Sequence, residues 1–207
     1  MQVTAEIRWF WRDDESQELV DWFASPTVHG GQHAAPPGRV DRYLIDKSQV
    51  ELGIKARGGR DGVEIKGLVD ARAAELESGV FAGPIEIWSK WWTDALFLDT
   101  DLTVAIGKRR WMRAFDLSGT SPVDATEHVA EWFNGTRPIP SRGCNVEVTR
   151  VAVPDGQVWW TMGFEAYGPL STVAADVSVA ADVMATRRPP EMPGAKCQSY
   201  PAWLASI

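Results

Sequence analysis

The chain has 207 residues, with 21 basic against 28 acidic side chains and a formal net charge of −7. That negative surplus argues against a general binder of nucleic acid or of anionic membranes, though it leaves room for a small basic pocket. No apolar run approaches the ~20 residues that a membrane-spanning helix needs.

In chain order, Glu6, Arg8 and Arg12 interrupt the stretch where a secretory leader would be apolar, so a cytoplasmic protein is expected. Residues 3–12 alternate as a strand. Asp13 or Asp14 can cap a helix over 14–24 with Leu19, Trp22 and Phe23 as its buried stripe. Residues 25–38 form a Gly/Pro-rich loop carrying His29 and His33, four apart; without a helix or a nearby carboxylate they make poor metal ligands. Residues 39–46 read as a strand, followed by a hairpin of 49–57 and 63–69 around Gly58-Gly59-Arg60-Asp61-Gly62. The segment ARAAELES at 71–78 has the composition of a short helix. Residues 83–93, with Ile85, Ile87, Trp88, Trp91 and Trp92, form a further strand, and 96–101 turn into a strand over 102–116.

A helix over 122–133, capped by Ser121 and anchored by Val129, Trp132 and Phe133, is expected next. Residues 145–153 and 157–167 make a hairpin around Pro154-Asp155-Gly156, the clearest turn in the chain. Val173, Val177, Ala180, Ala181 and Met184 describe an amphipathic helix over 171–186. The Pro-rich tail after Arg188 is expected to pack irregularly, with Tyr200, Trp203 and Leu204 as anchors. Cys144 and Cys197 lack the spacing of a zinc site and are expected as thiols. Most of the 11 tryptophans are read as core or as walls of a ligand site. No linker or repeat divides the chain, so residues 1–207 form one domain.

The strands share one device. With period two, Lys108 and Arg110 fall on one face of VAIGKRRWMRAFD (104–116), while Arg109, Trp111, Arg113 and Phe115 fall on the other. Glu6 and Arg8, Lys55 and Arg57, and Glu64 and Lys66 are further charged pairs at i, i+2, and Glu147 and Glu165 sit in mid-strand. Those faces either turn to water, as on an ordinary half-wet sheet, or turn toward one another as the lumen of a closed barrel. In the second case the apolar core lies outside, under helices. Arg109 and Arg113, on the opposite face, are expected on the outer surface.

The order of these motifs resembles the CYTH superfamily, the triphosphate tunnel metalloenzymes. Asp41-Arg42-Tyr43-Leu44, the basic strand 52–57, Glu64-Ile65-Lys66-Gly67, Lys108-Arg109-Arg110, Val146-Glu147-Val148-Thr149 and Gly163-Phe164-Glu165 are similar to successive motifs of that family over residues 3–168. The resemblance implies an α+β fold: a closed antiparallel β-barrel, or tunnel, of about eight strands with flanking helices. It implies that Arg8, Lys55, Arg57, Lys66, Lys108 and Arg110 clamp a polyphosphate, that Glu6, Glu147 and Glu165 carry Mg²⁺ or Mn²⁺, and that Glu6 and Glu165 serve catalysis. Three positions depart from the family pattern, one of them Thr149, which stands where an acidic residue is usual, although Glu147 is near. Thr4 stands where its first-strand motif has a glutamate, and Gly163 replaces the first acid of the closing pair.

Three functions are open at this level: a metal-dependent triphosphate hydrolase or related phosphotransfer enzyme, a tunnel protein that binds a nucleotide or phosphorylated metabolite without catalysis, and an unrelated β-barrel with aromatic ligand contacts. The expected partner is a small anionic phosphorylated ligand, with neither nucleic acid nor membrane.

Overall fold

The computed structural model describes residues 1–12, 17–25 and 37–207, leaving the histidine loop with His29 and His33, and the caps Asp13 and Asp14, outside the described residues. Eight strands form a closed antiparallel barrel: β1 (Gln2–Arg12), β2 (Arg39–Leu44), β3 (Leu52–Ala56), β4 (Val63–Ser78), β5 (Phe81–Thr93), β6 (Thr103–Asp116), and the hairpin β8 (Gly143–Ala152) and β9 (Val158–Tyr167). Their order is β1-β5-β4-β3-β2-β6-β8-β9, and the ring closes where β1 pairs with β9 from Thr4↔Tyr167 to Arg12↔Trp159. Closure removes the sheet edges, which is how an antiparallel sheet this size avoids exposing unpaired backbone. Two short strands lie off the ring: β7 (Val123–Asp124) pairs with β6, and β10 (Lys196–Cys197) with β1.

The alternation of β1 shows how the sequence divides inside from outside. Glu6 and Arg8 point into the lumen, while Ala5, Ile7, Trp9 and Trp11 belong to the main apolar core on the outer surface of the barrel. That core continues through Val146, Val148, Met162 and Phe164 and is covered by α3 (Val173–Thr186), which contributes Val173, Val177, Ala180, Ala181 and Met184. Helix α1 (Gln17–Ala24) adds Leu19 and Phe23. The hydrophobic effect thus holds the helices onto the barrel, and the lumen is left to charge.

Four expectations are corrected. Residues 71–78 are strand, because β4 runs on to Ser78 paired with β5 (Ala74↔Ile85, Leu76↔Gly83, Ser78↔Phe81). Cross-strand pairing and burial of Leu76 in the outer core override local helix propensity, and the register shifts between Leu68 and Ala74 absorb the mismatch. Residues 122–133 are not one helix: β7 and a single 3₁₀ turn (Thr126–His128) precede a short α2 (Val129–Phe133). The side chain of Phe133 lies outside the described part. Arg113 is on the outer face but 1% exposed, because its guanidinium ends α1 by donating to the carbonyls of Phe23 (2.8 Å) and Ser25 and to Asp124 (3.1 Å). Arg109 is exposed, as its register suggests. The tail forms β10 and α4 (Tyr200–Ser206), whose first turn is capped by the Ser199 hydroxyl accepting from the Ala202 amide.

Helix α4 sits in one end of the barrel. Trp203, fully buried, stacks on Phe10 (4.8 Å between centroids, 7° between planes) and meets Trp159 edge-on. Tyr43, Ile106, Val151 and Val153 complete this second core. The lumen therefore has an apolar, plugged end and a charged remainder. Cys144 and Cys197 are unbridged thiols, and no helix among the described residues is long and apolar enough to cross a membrane.

Replacing Trp203 with Ala removes the largest side chain of the plug and leaves a cavity against Phe10. We expect a loss of about 3–5 kcal/mol of unfolding free energy, measured by urea denaturation. An unchanged midpoint would mean that α4 is a surface appendage.

Candidate functional site

The charged part of the lumen is a cavity of about 350 Å³, within the range of small-molecule sites. Every predicted site residue lines it: Glu6, Arg8, Lys55, Arg57, Lys66, Lys108, Arg110, Glu147 and Glu165, together with Glu64. Strand pleating accounts for this convergence, since all but Arg57 sit at inward positions of their strands and Arg57 directly follows β3. Counting Arg39, Arg60, Lys90 and Asp46, nine basic side chains line the cavity against five acidic ones.

The charges form local clusters. Glu6 (9% exposed) accepts from Lys66 at 2.9 Å, from Lys90 at 2.7 Å and from the Thr4 hydroxyl at 2.9 Å. Lys90 also donates to Glu165 at 2.7 Å, so one ammonium bridges carboxylates that stand directly opposite each other in the β1–β9 register. Glu147 lies between Arg8 (3.1 Å) and Arg110 (2.5 Å). Asp41, fully buried behind the cavity wall, takes Arg39 at 3.0 Å and the Gly58 amide at 3.2 Å, with Lys108 at 3.5 Å. Lys55 pairs with Glu64 at 2.8 Å.

These contacts set the protonation states. Burial works against the charge on Glu6, but Lys66 and Lys90 outweigh it and hold its carboxyl well below the usual glutamate range. For Glu147 burial is likewise overcome, here by Arg110 and Arg8. Lys90 is pulled down by burial and raised further by Glu165 and Glu6, so it stays charged. Lys108 goes the other way: burial, then Lys55, Arg39 and Arg8, push it well below the lysine range against the opposing pull of Asp41. Its ammonium position lies 3.8 Å from the centre of the Tyr200 ring and it bonds the Tyr43 hydroxyl.

Arg57 stands apart. It is half-buried in the cavity, and among the described residues its guanidinium has neither a hydrogen-bond nor an ion-pair partner. Burial and the neighbouring Arg39 and Arg110 lower its pKa, against the weaker opposing pull of Glu64 and Asp41.

Glu6, Glu147 and Glu165 do not fit a divalent ion in this arrangement. Both oxygens of Glu6 and both of Glu147 are taken by cations, and Glu165 spends one oxygen on Lys90, leaving the other without a partner among the described residues. No group of three His, Cys, Asp or Glu side chains able to hold a metal occurs among the described residues. Gly163 has a steric reason. It faces Arg8 across the β1–β9 pair, and a Cβ there would lie 2.7 Å from the Arg8 guanidinium carbon.

Sequence reasoning missed Lys90, Arg39 and Tyr200. Lys90 had a signal, for Glu86, Trp88 and Lys90 alternate on one face like the other charged pairs, but the tryptophans made the strand read as apolar. Tyr200 had none, since only the fold of the tail brings it to the lumen. Compared with protein-family models and with curated proteins, the chain matches none.

Replacing Glu147 with Gln leaves two guanidiniums enclosed without their anion, at an expected cost of about 3–5 kcal/mol at neutral pH. Because the folded pKa of Glu147 lies below the usual 4.5, its contribution is fully present above that pH and is lost as pH falls toward the folded value. The gap between wild type and variant, followed by urea denaturation, should therefore close on acidification below about pH 4.5. A pH-independent gap would assign the cost to shape and not to charge.

Proposed function

We propose that the barrel interior binds a small phosphorylated anion. The observation that carries this reading is Arg57, a half-buried cavity arginine whose guanidinium makes no hydrogen bond or ion pair among the described residues, with Arg39 and Arg110 outweighing Glu64 and Asp41 around it. The other lumen cations are largely matched by acids, so the unmatched charge is local. Guanidinium is suited to phosphate because its planar fork gives two parallel charge-assisted bonds. The surplus of basic lining residues supports the same ligand class, as does the resemblance of the motif order to the triphosphate tunnel enzymes.

Hydrolysis of a phosphoanhydride is the second reading. It draws on the Glu165 oxygen left without a partner among the described residues, which could accept a proton from an attacking water beside Lys90. Lys66 and Arg110 would then hold the leaving phosphate. Phosphate release by the wild type that disappears in Glu165→Gln would establish it.

Tripolyphosphate, in buffer containing EDTA, should raise the melting temperature. At about 100 times Kd, linkage gives about 2.7 kcal/mol, or roughly 5–10 °C for a chain this size. Arg57→Ala should weaken binding about 10- to 100-fold by calorimetry, whereas exposed Arg109→Ala should leave it unchanged. No wild-type shift, or equal affinity in Arg57→Ala, would end the proposal.

A further inference from the structure

We infer that Lys90 is the resident cation of the Glu6–Glu165 pair and occupies the place a divalent metal would otherwise take between them. Two carboxylates opposed in register would repel each other in an enclosed cavity unless a cation lay between them. Lys90 supplies it at 2.7 Å from each, tethered to the neighbouring strand β5. An ammonium has three N–H donors; two are committed to these acids, and the third has no partner among the described residues. Lys90 lines the cavity, so that donor is available to an anion. A cation held by carboxylates and offered to a ligand is what a bound metal provides in a phosphate site; here the side chain provides it covalently.

The surroundings agree with this placement. Lys66 lies on the other oxygen of Glu6 and 4.1 Å from the centre of the Trp88 ring. The Thr4 hydroxyl donates to Glu6. A metal at this point would have to displace Lys90 and stand within reach of Lys66, against two positive charges. Once burial is overcome, Lys90 is raised by Glu165 and Glu6, and Glu6 is lowered by Lys66 and then Lys90, so the ammonium and the Glu6 carboxylate keep their charges.

The inference does not depend on anion binding, because Mn²⁺ alone reads the acid pair. Free Mn²⁺ would be followed by electron paramagnetic resonance in titrations of the wild type, Lys90→Met, Lys90→Arg and Lys90→Met/Glu165→Gln. The wild type and Lys90→Arg should leave the aqueous Mn²⁺ signal undiminished. Lys90→Met should gain Mn²⁺ affinity by at least about tenfold as the acids are released, and the double variant should lose that gain. Mn²⁺ uptake by the wild type that Glu165→Gln abolishes, or folded Lys90→Met without uptake, would overturn the assignment. Should Lys90→Met not fold, the wild type and Glu165→Gln decide alone: uptake removed by Glu165→Gln overturns it, and its absence supports it.

Discussion

An enclosed carboxylate must find a cation or give up its charge, and that requirement organises the interior of this barrel. Glu6, Glu147 and Asp41 are each satisfied by at least two basic groups, drawn from other strands except for Arg39, which reaches Asp41 from two residues away on β2. Such clusters add little net stability over an apolar filling, because desolvation consumes much of the attraction. What they provide is position. Each carboxylate fixes the side chains of two long, otherwise mobile cations, so the charges of the cavity are held in set directions.

The division of labour between the two cores follows from that interior. A charged lumen cannot drive folding, so apolar burial moves outside, where α3 and α1 lie on the sheet. One end of the lumen is exempt. There α4 brings Trp203 and Leu204 against Phe10, Ile106 and Val151, and Tyr200 forms the boundary, stacked on Tyr43 on one side and facing Lys108 on the other. The depressed pKa of Lys108 belongs to this boundary, where a cation meets aromatic rings and few anions.

Much of this was legible because a barrel strand obeys the same period-two rule as any strand. Glu6/Arg8, Lys55/Arg57 and Lys108/Arg110 announced a charged face, and the apolar alternates of β1 announced where the core would sit. The pattern could not say which faces meet, and the resemblance of motif order supplied that expectation. Local composition misled at 71–78, where an Ala/Glu-rich helix former is held as strand by its partner β5. It also concealed Lys90 among tryptophans. The plug was illegible for another reason: α4 depends on contacts with Phe10 and Tyr43, more than 150 residues earlier in the chain.

The contact between Gly163 and Arg8 has a consequence for how such a site can change by mutation. With the guanidinium carbon 2.7 Å from where a Cβ would stand, an acidic side chain at 163 and this Arg8 conformer compete for one volume. The two positions behave as a single locus with alternative occupants, an arginine held by Glu147 or a carboxylate at 163. A substitution at 163 therefore acts first on Arg8, whose guanidinium has to leave its present place. The atom in the way is the far end of a flexible side chain, so room at 163 is made by turning Arg8 aside, and what resists that turn is its ion pair with Glu147.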